Sequence, residues 1–133
     1  MLPVASQSVD LVVAHGIWNL ARSDAELRRA MSETARIALP GAGLFVFTFS
    51  RTTLPAAVSP IPGESFVFTG FAGRPQCFLT EDELVVELAS VGFILDPAVP
   101  LTEHNLPRPA SIRAVNVPVI FEAAFPFNGG RTR

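Results

Sequence analysis

The side chains best suited to chemistry fall in three short stretches. In "AHGIWN" (Ala14–Asn19), His15 can hold or move a proton near neutral pH, and the small Ala14 and Gly16 let a ligand approach the backbone closely. Asn19 can orient a substrate hydroxyl or amine, or it can cap a turn. Trp18 reads chiefly as a packing residue, with ring stacking as the alternative. His15 itself reads equally as a polar loop residue with a local hydrogen bond. A second pair, Ser50 and Arg51, follows the apolar run "LFVFTF" and can face a substrate, although Arg51 serves as well as a solvated loop residue. Third, Cys77 and His104 have the residue types of a nucleophile and its base. Nothing local supports that pairing, so Cys77 reads as a buried, inert thiol, and His104 in "TEHN" has no metal-ligand spacing around it.

The elements that must position these residues alternate. "VDLVVA" (Val9–Ala14) is mostly apolar and predicts a strand buried on both faces, as in parallel sheets. His15 and its neighbours then sit at the carboxyl end of that strand, the edge where ligands lie in open α/β sheets. "SDAE" (Ser23–Glu26) is a capping box, in which the serine oxygen accepts from the Glu26 amide while the glutamate reaches back. Leu27, Ala30, Met31, Thr34 and Ile37 recur behind it at helical spacing. "PGAG" (Pro40–Gly43) stops the helix, and Leu44–Ser50 forms the next strand. Strand, helix and strand make a βαβ unit with parallel strands.

Residues 51–79 change character, being rich in proline, glycine and phenylalanine. A stretch of this length without helical period is a candidate substrate lid. Phe66, Phe68, Phe71 and Phe78 either line such a lid around an uncharged, partly apolar substrate or form a satellite hydrophobic cluster. A second capping box, "TEDE" (Thr80–Glu83), opens a helix that buries Leu84, Val85, Leu88 and Val91 and stops at Gly92. "FILDPAVPL" (Phe93–Leu101) then reads as a strand, "LPRPASIRAVN" as a loop, "PVIFEAAF" (Pro118–Phe125) as a last strand and "NGGRTR" as a frayed tail. The whole is an α/β layered sheet in one domain, residues 1–133.

Composition narrows the function classes. The chain has 133 residues, a net charge of −2, 49% hydrophobic residues and 12 prolines, which describes a folded domain rather than a disordered one. All of its 10 basic residues are arginine, and they are scattered, so nucleic acid is excluded as a primary partner. One cysteine rules out an internal disulfide and fits a cytoplasmic setting. No apolar run is long enough to span a bilayer. A mean hydropathy of +0.39 is high, and some apolar surface is expected to meet a partner.

The order of these motifs resembles one family. "LPVASQSVDLVVAHGIWNL" is similar to the stretch of class I S-adenosylmethionine-dependent methyltransferases (the type 11-like group) written as L-P-F, a few residues, then F-D-L-V. "ELRRAMSETARIALPGAGLFVFTF" resembles that family's next helix, its Pro-Gly-Gly turn and its fifth strand. "TEDELVVELASVGF" resembles the helix before its last two strands, and "PVIFEAAFP" its seventh, antiparallel strand, which lies between the fifth and sixth.

The resemblance implies a partial Rossmann-like sheet, the C-terminal half of the fold, with S-adenosylmethionine as cofactor and a small molecule, or an acceptor left unspecified, as the methyl acceptor. It places the methionine moiety against Ala14, His15 and Gly16, makes His15 the nearest candidate general base, and leaves Trp18, Asn19, Ser50, Arg51 and Phe66 to face the acceptor. No counterpart of the family's Gly-rich cofactor loop or of its ribose-binding acid occurs in the sequence. The expectation is therefore an N-terminally truncated form, or an inactive remnant that binds a partner. In that arrangement strand 9–14 is an exposed apolar edge, and the chain should self-associate through it.

Overall fold

The computed structural model describes residues 2–71, 73–106 and 118–128. Strand β1 (Val9–His15) leads through a 3₁₀ turn (Trp18–Leu20) to helix α1 (Asp24–Ile37) and strand β2 (Ala38–Phe49). A hairpin of two short strands follows, β3 (Val67–Phe68) and β4 (Gln76–Cys77), then helix α2 (Glu81–Ala89), β5 (Thr102–His104) and β6 (Ile120–Pro126). The main sheet runs β1-β2-β6-β5, with β1 parallel to β2 and β6 antiparallel to both of its neighbours. This is the expected α/β sheet with its last strand inserted antiparallel.

Both helices start where their caps say they must. Ser23 Oγ accepts from the Glu26 amide at 3.0 Å, but the Glu26 carboxylate takes the Arg22 amide, one residue before the cap, also at 3.0 Å. At α2 the box is reciprocal, with Thr80 and Glu83 exchanging hydrogen bonds of 2.9 and 3.1 Å. Leu27 and Met31 from the buried stripe of α1 (Leu27, Met31, Thr34, Ile37), and Leu84 and Leu88 of α2, pack on one face of the sheet. That face presents Leu44, Val46, Phe121 and Phe125, all essentially without solvent contact.

Three boundaries differ from the sequence reading, each for a local reason. The second strand begins at Ala38, so the Pro40–Gly43 turn lies inside it rather than ahead of it. Gly41, at φ +83, makes the turn, and its amide donates to Phe127 O at 2.8 Å, which keeps the bulge in the sheet. The register records the insertion, passing from Val9↔Ala38 directly to Leu11↔Gly43. The strand expected at 93–101 is broken. Ile94 and Asp96 donate to Pro126 O and Ala124 O, then Asp96 caps a turn by accepting from the Ala98 amide at 2.9 Å, and regular pairing resumes only at Thr102. Proline at positions 97 and 100 removes the amides that an unbroken ladder would need.

The third difference concerns β1, expected to be buried on both faces. Leu11 and Val13 are 54% and 53% exposed, because the helices cover only the other face of the sheet and no described strand lies beyond β1. Of the loop expected at 106–116, residues 107 onward lie outside the described residues, as does the expected tail from 129.

Candidate active site

Because β1 and β2 are parallel, their carboxyl ends share one rim. His15 ends β1 on the exposed side, its ring tilted against Phe47 with centroids 4.8 Å apart. Gly16 follows at φ +68. Its amide donates to Phe47 O at 2.9 Å, and the space where a Cβ would stand is free of heavy atoms within 4 Å. A glycine so placed turns the chain and leaves the backbone open to a ligand. Ala14, one residue back, is buried on the helix-covered face.

The 3₁₀ turn then carries Trp18 and Asn19 inward and leaves Ile17 and Leu20 exposed. The Asn19 amide donates to Gln76 Oε1 at 3.2 Å, joining the turn to β4, whereas Asn19 Oδ1 is buried with no hydrogen-bond partner among the described residues. An unpartnered buried carbonyl oxygen costs on the order of 1–3 kcal/mol, and such an atom asks for a donor.

At the end of β2 the polar side chains are already engaged. Ser50 Oγ donates to Glu103 Oε2 at 2.6 Å, and Thr52 Oγ1 donates to the same oxygen at 3.2 Å. Arg51 donates through Nε and Nη2 to Phe78 O, pairs with Glu83 and lies 4.8 Å above the Phe68 ring. Its guanidinium thus fastens the start of α2 to the insert. Phe66 is buried under the Arg28 guanidinium, 5.3 Å away, while Phe68 and Phe78 join Leu54 in a second small core flanked by Phe49 and Phe71. Phe68, Phe71 and Phe78 thus gather in a small cluster of their own, whereas Phe66 belongs to the main core.

Cys77 and His104 are not brought together as a pair. The thiol is buried and lies 3.4 Å from Ala21 O, and burial pushes its pKa up to about 12. His104 sits on the edge strand at the other end of the sheet, 2.7 Å from Glu122.

A cleft of about 650 Å³ opens between β1 and α1. Its floor is Val12, Ala14, Ile17 and Trp18, and its far wall carries Glu26 and Arg29. The cleft gathers Ala14 and Trp18 from the candidate residues; His15, Gly16, Asn19 and Ser50 stand outside it. Sequence reasoning did not single out Gln76 or Glu103. Both act through contacts more than fifty residues away along the chain, and neither lies in a local motif that would expose it.

Known folds match this arrangement. An S-adenosylmethionine-dependent methyltransferase from Methanosarcina mazei superposes with a TM-score of 0.71 at 21% identity, covering 96% of this chain and 63% of that one. One from Mesorhizobium loti gives 0.65 at 14% identity, over 95% and 65% of the two chains. The 1,6-didemethyltoxoflavin-N1-methyltransferase of Burkholderia thailandensis, solved with 1,6-didemethyltoxoflavin and S-adenosylhomocysteine, gives 0.61 at 16% identity, over 93% and 46%. The chain therefore spans less than two thirds of the length of each. No family model matches the sequence, and no curated protein does. Strand order, the antiparallel β6 and these superpositions agree: this chain has the fold of the class I S-adenosylmethionine-dependent methyltransferases.

Proposed function

We propose that the chain is the C-terminal, acceptor-side portion of an S-adenosylmethionine-dependent methyltransferase acting on a small molecule. The observation that carries this reading is Gly16, a left-handed glycine with open space above it at the carboxyl end of β1, in a sheet of the methyltransferase order. Ligands of open α/β sheets lie at that end.

The residues present fit one side of such a cofactor. Ala14, His15 and Gly16 hold its methionine end, largely through the backbone. Bound there, the cofactor supplies an already activated methyl group on a sulfonium. The protein's part is then to bind and align the acceptor, and orientation supplies much of the rate. Trp18 shapes the acceptor side with Asn19 buried behind it, and Ser50, Arg51 and Phe66 support the rim and insert. His15 accepts a proton where the acceptor nucleophile must lose one. A lone buried thiol supports a reducing, cytoplasmic setting.

Titration calorimetry with S-adenosylhomocysteine tests this reading. Binding heat at micromolar concentrations, weakened in Gly16→Val, is the expected result, and silence up to millimolar concentrations would overturn it. The exposed Leu11 and Val13 favour a second reading, an inactive methyltransferase-like module that works by binding a partner. That reading requires silence in the calorimeter together with association through β1.

A further inference from the structure

Glu103, on edge strand β5, carries a carboxylate that the fold orients without neutralising. Strands β2 and β5 both run antiparallel to β6, so their carboxyl ends open on the same rim. The register sets Glu103 opposite Phe121 and Phe121 opposite Thr48, a row on the helix-covered face in which Phe121 and Thr48 are buried. From that row the glutamate reaches over β6 to the end of β2. Its Oε2 accepts from Ser50 Oγ at 2.6 Å and from Thr52 Oγ1 at 3.2 Å. Ser50 is buried, and two donors on one oxygen fix the carboxylate's orientation. The other oxygen, Oε1, receives no hydrogen bond among the described residues. It is not sealed either, since Asn19 Oδ1 is the one described side-chain atom buried without a partner.

The charge has no counterpart. Among the described residues Glu33, Glu83 and Glu87 pair with arginine and Glu122 with His104, whereas Glu103 meets only neutral hydroxyls. Arg51, between the two hydroxyl donors in sequence, is engaged by Glu83 and Phe78 O. A staple between β5 and the turn at 50–52 needs only a neutral amide. A carboxylate in that place adds a half-buried charge that asks for a cation.

We propose that Glu103 Oε1 anchors an ammonium group, and that the methyl acceptor is a small molecule carrying a primary or secondary amine. Giving the ammonium to the acceptor rests on the reading of the chain as the acceptor side of a methyltransferase. The geometry selects an ammonium over other cations. A guanidinium grips a carboxylate through both oxygens, and Oε2 is already taken. A divalent metal needs several ligands, and no group of three His, Cys, Asp or Glu side chains that could hold one occurs among the described residues. An ammonium gives a point-charge donor to a single oxygen. Held there, the acceptor lies over the end of β2, the strand beside β1 and Gly16. A nitrogen bound as ammonium has no lone pair to receive a methyl group, so the methylated atom is a different one on the same molecule.

Carbon-13 NMR of the full chain, labelled at the glutamate side-chain carboxyls, tests the site with benzylamine, a cation at neutral pH, against benzyl alcohol, its neutral counterpart. The Glu103 carboxyl carbon should shift saturably at millimolar benzylamine and stay unmoved with the alcohol. Glu103→Gln keeps an acceptor for Ser50 and Thr52 and should weaken benzylamine binding, read from the amides of residues 50–52, about tenfold or more. S-adenosylhomocysteine should shift Ala14, His15 and Gly16 equally in both chains. The amine–alcohol comparison in the wild-type chain decides even where the variant fails to fold. No shift at Glu103, an equal response to the alcohol, or unchanged benzylamine affinity in a folded Glu103→Gln would each overturn the assignment. Should benzylamine move Glu103 while S-adenosylhomocysteine moves nothing, the cofactor reading falls and the ammonium site stands.

Discussion

Strand β1 and the insert of residues 51–79 both border the carboxyl rim of the sheet, yet they are held in opposite ways. The insert has almost no regular structure but is tied at many points. The Asp24 carboxylate accepts from the Ser65 and Phe66 amides at 2.7 and 3.0 Å, the Asp24 amide donates to Glu64 at 2.6 Å, and Arg51 clamps Phe78 O. Beneath these bonds Phe68 and Phe78 are buried in edge-to-face contact. Strand β1 is regular and apolar, and one ladder with β2 holds its backbone. Regularity of backbone and depth of burial are thus separate properties. Side-chain-to-backbone bonds hold the irregular segment, while among the described residues the regular one is paired along one side.

The contrast can be broken at its strongest point first. Phe78→Ala should cost about 3–5 kcal/mol in chemical denaturation, since it empties the centre of the insert's core. Leu11→Ala should stay within about 0.5 kcal/mol for the monomer, as exposed substitutions do. Comparable costs at the two positions would undo the comparison. Asp24→Ala removes the carboxylate that accepts from two backbone amides and should cost about 1–3 kcal/mol, with hydrogen-exchange protection lost first at Ser65 and Phe66. Uniform loss across the chain would mean that Asp24 is not a local clamp.

Cys77 offers a chemical check on the same burial. With its pKa pushed up to about 12, the thiol should resist a disulfide reagent at pH 8 in the folded chain and react at once in denaturant. Fast labelling of the native protein would place the insert open.

The smallest effect is electrostatic. The hydrogen bond from Arg36, helped by the Leu2 amide, lowers the Glu33 pKa to about 2. A lowered carboxylate pKa stabilises the fold above the ordinary value and loses that contribution as pH falls. The loss should therefore run from about pH 4.5 down toward 2, and Glu33→Gln should flatten that part of the stability profile.

Much of the fold was legible because its signals are local. Ser23 and Thr80 marked helix starts, the Leu27–Ile37 stripe marked the buried face, and the order of motifs led to an antiparallel last strand between its neighbours. What stayed hidden depends on distance along the chain. The Pro40–Gly41 turn reads as a stop until Phe127 O arrives to hold it in the sheet. Val9–Ala14 reads as doubly buried because apolar composition cannot say whether a neighbouring strand or helix will cover it. At the candidate site, the open space at Gly16 agrees with a small residue being placed at the strand's end. The engagement of Arg51 with Glu83 and Phe78, and of Ser50 with Glu103, was hidden, because each contact joins segments that meet only in the folded sheet.

The central claim is that the end of β1 receives the methionine end of a sulfonium cofactor. Backbone amide NMR of the isotope-labelled chain, titrated with S-adenosylhomocysteine, tests it most directly. Saturable shifts centred on Ala14, His15 and Gly16 are expected, with the β5–β6 end of the sheet unmoved. Shifts confined to other elements, or none at millimolar ligand, would contradict it.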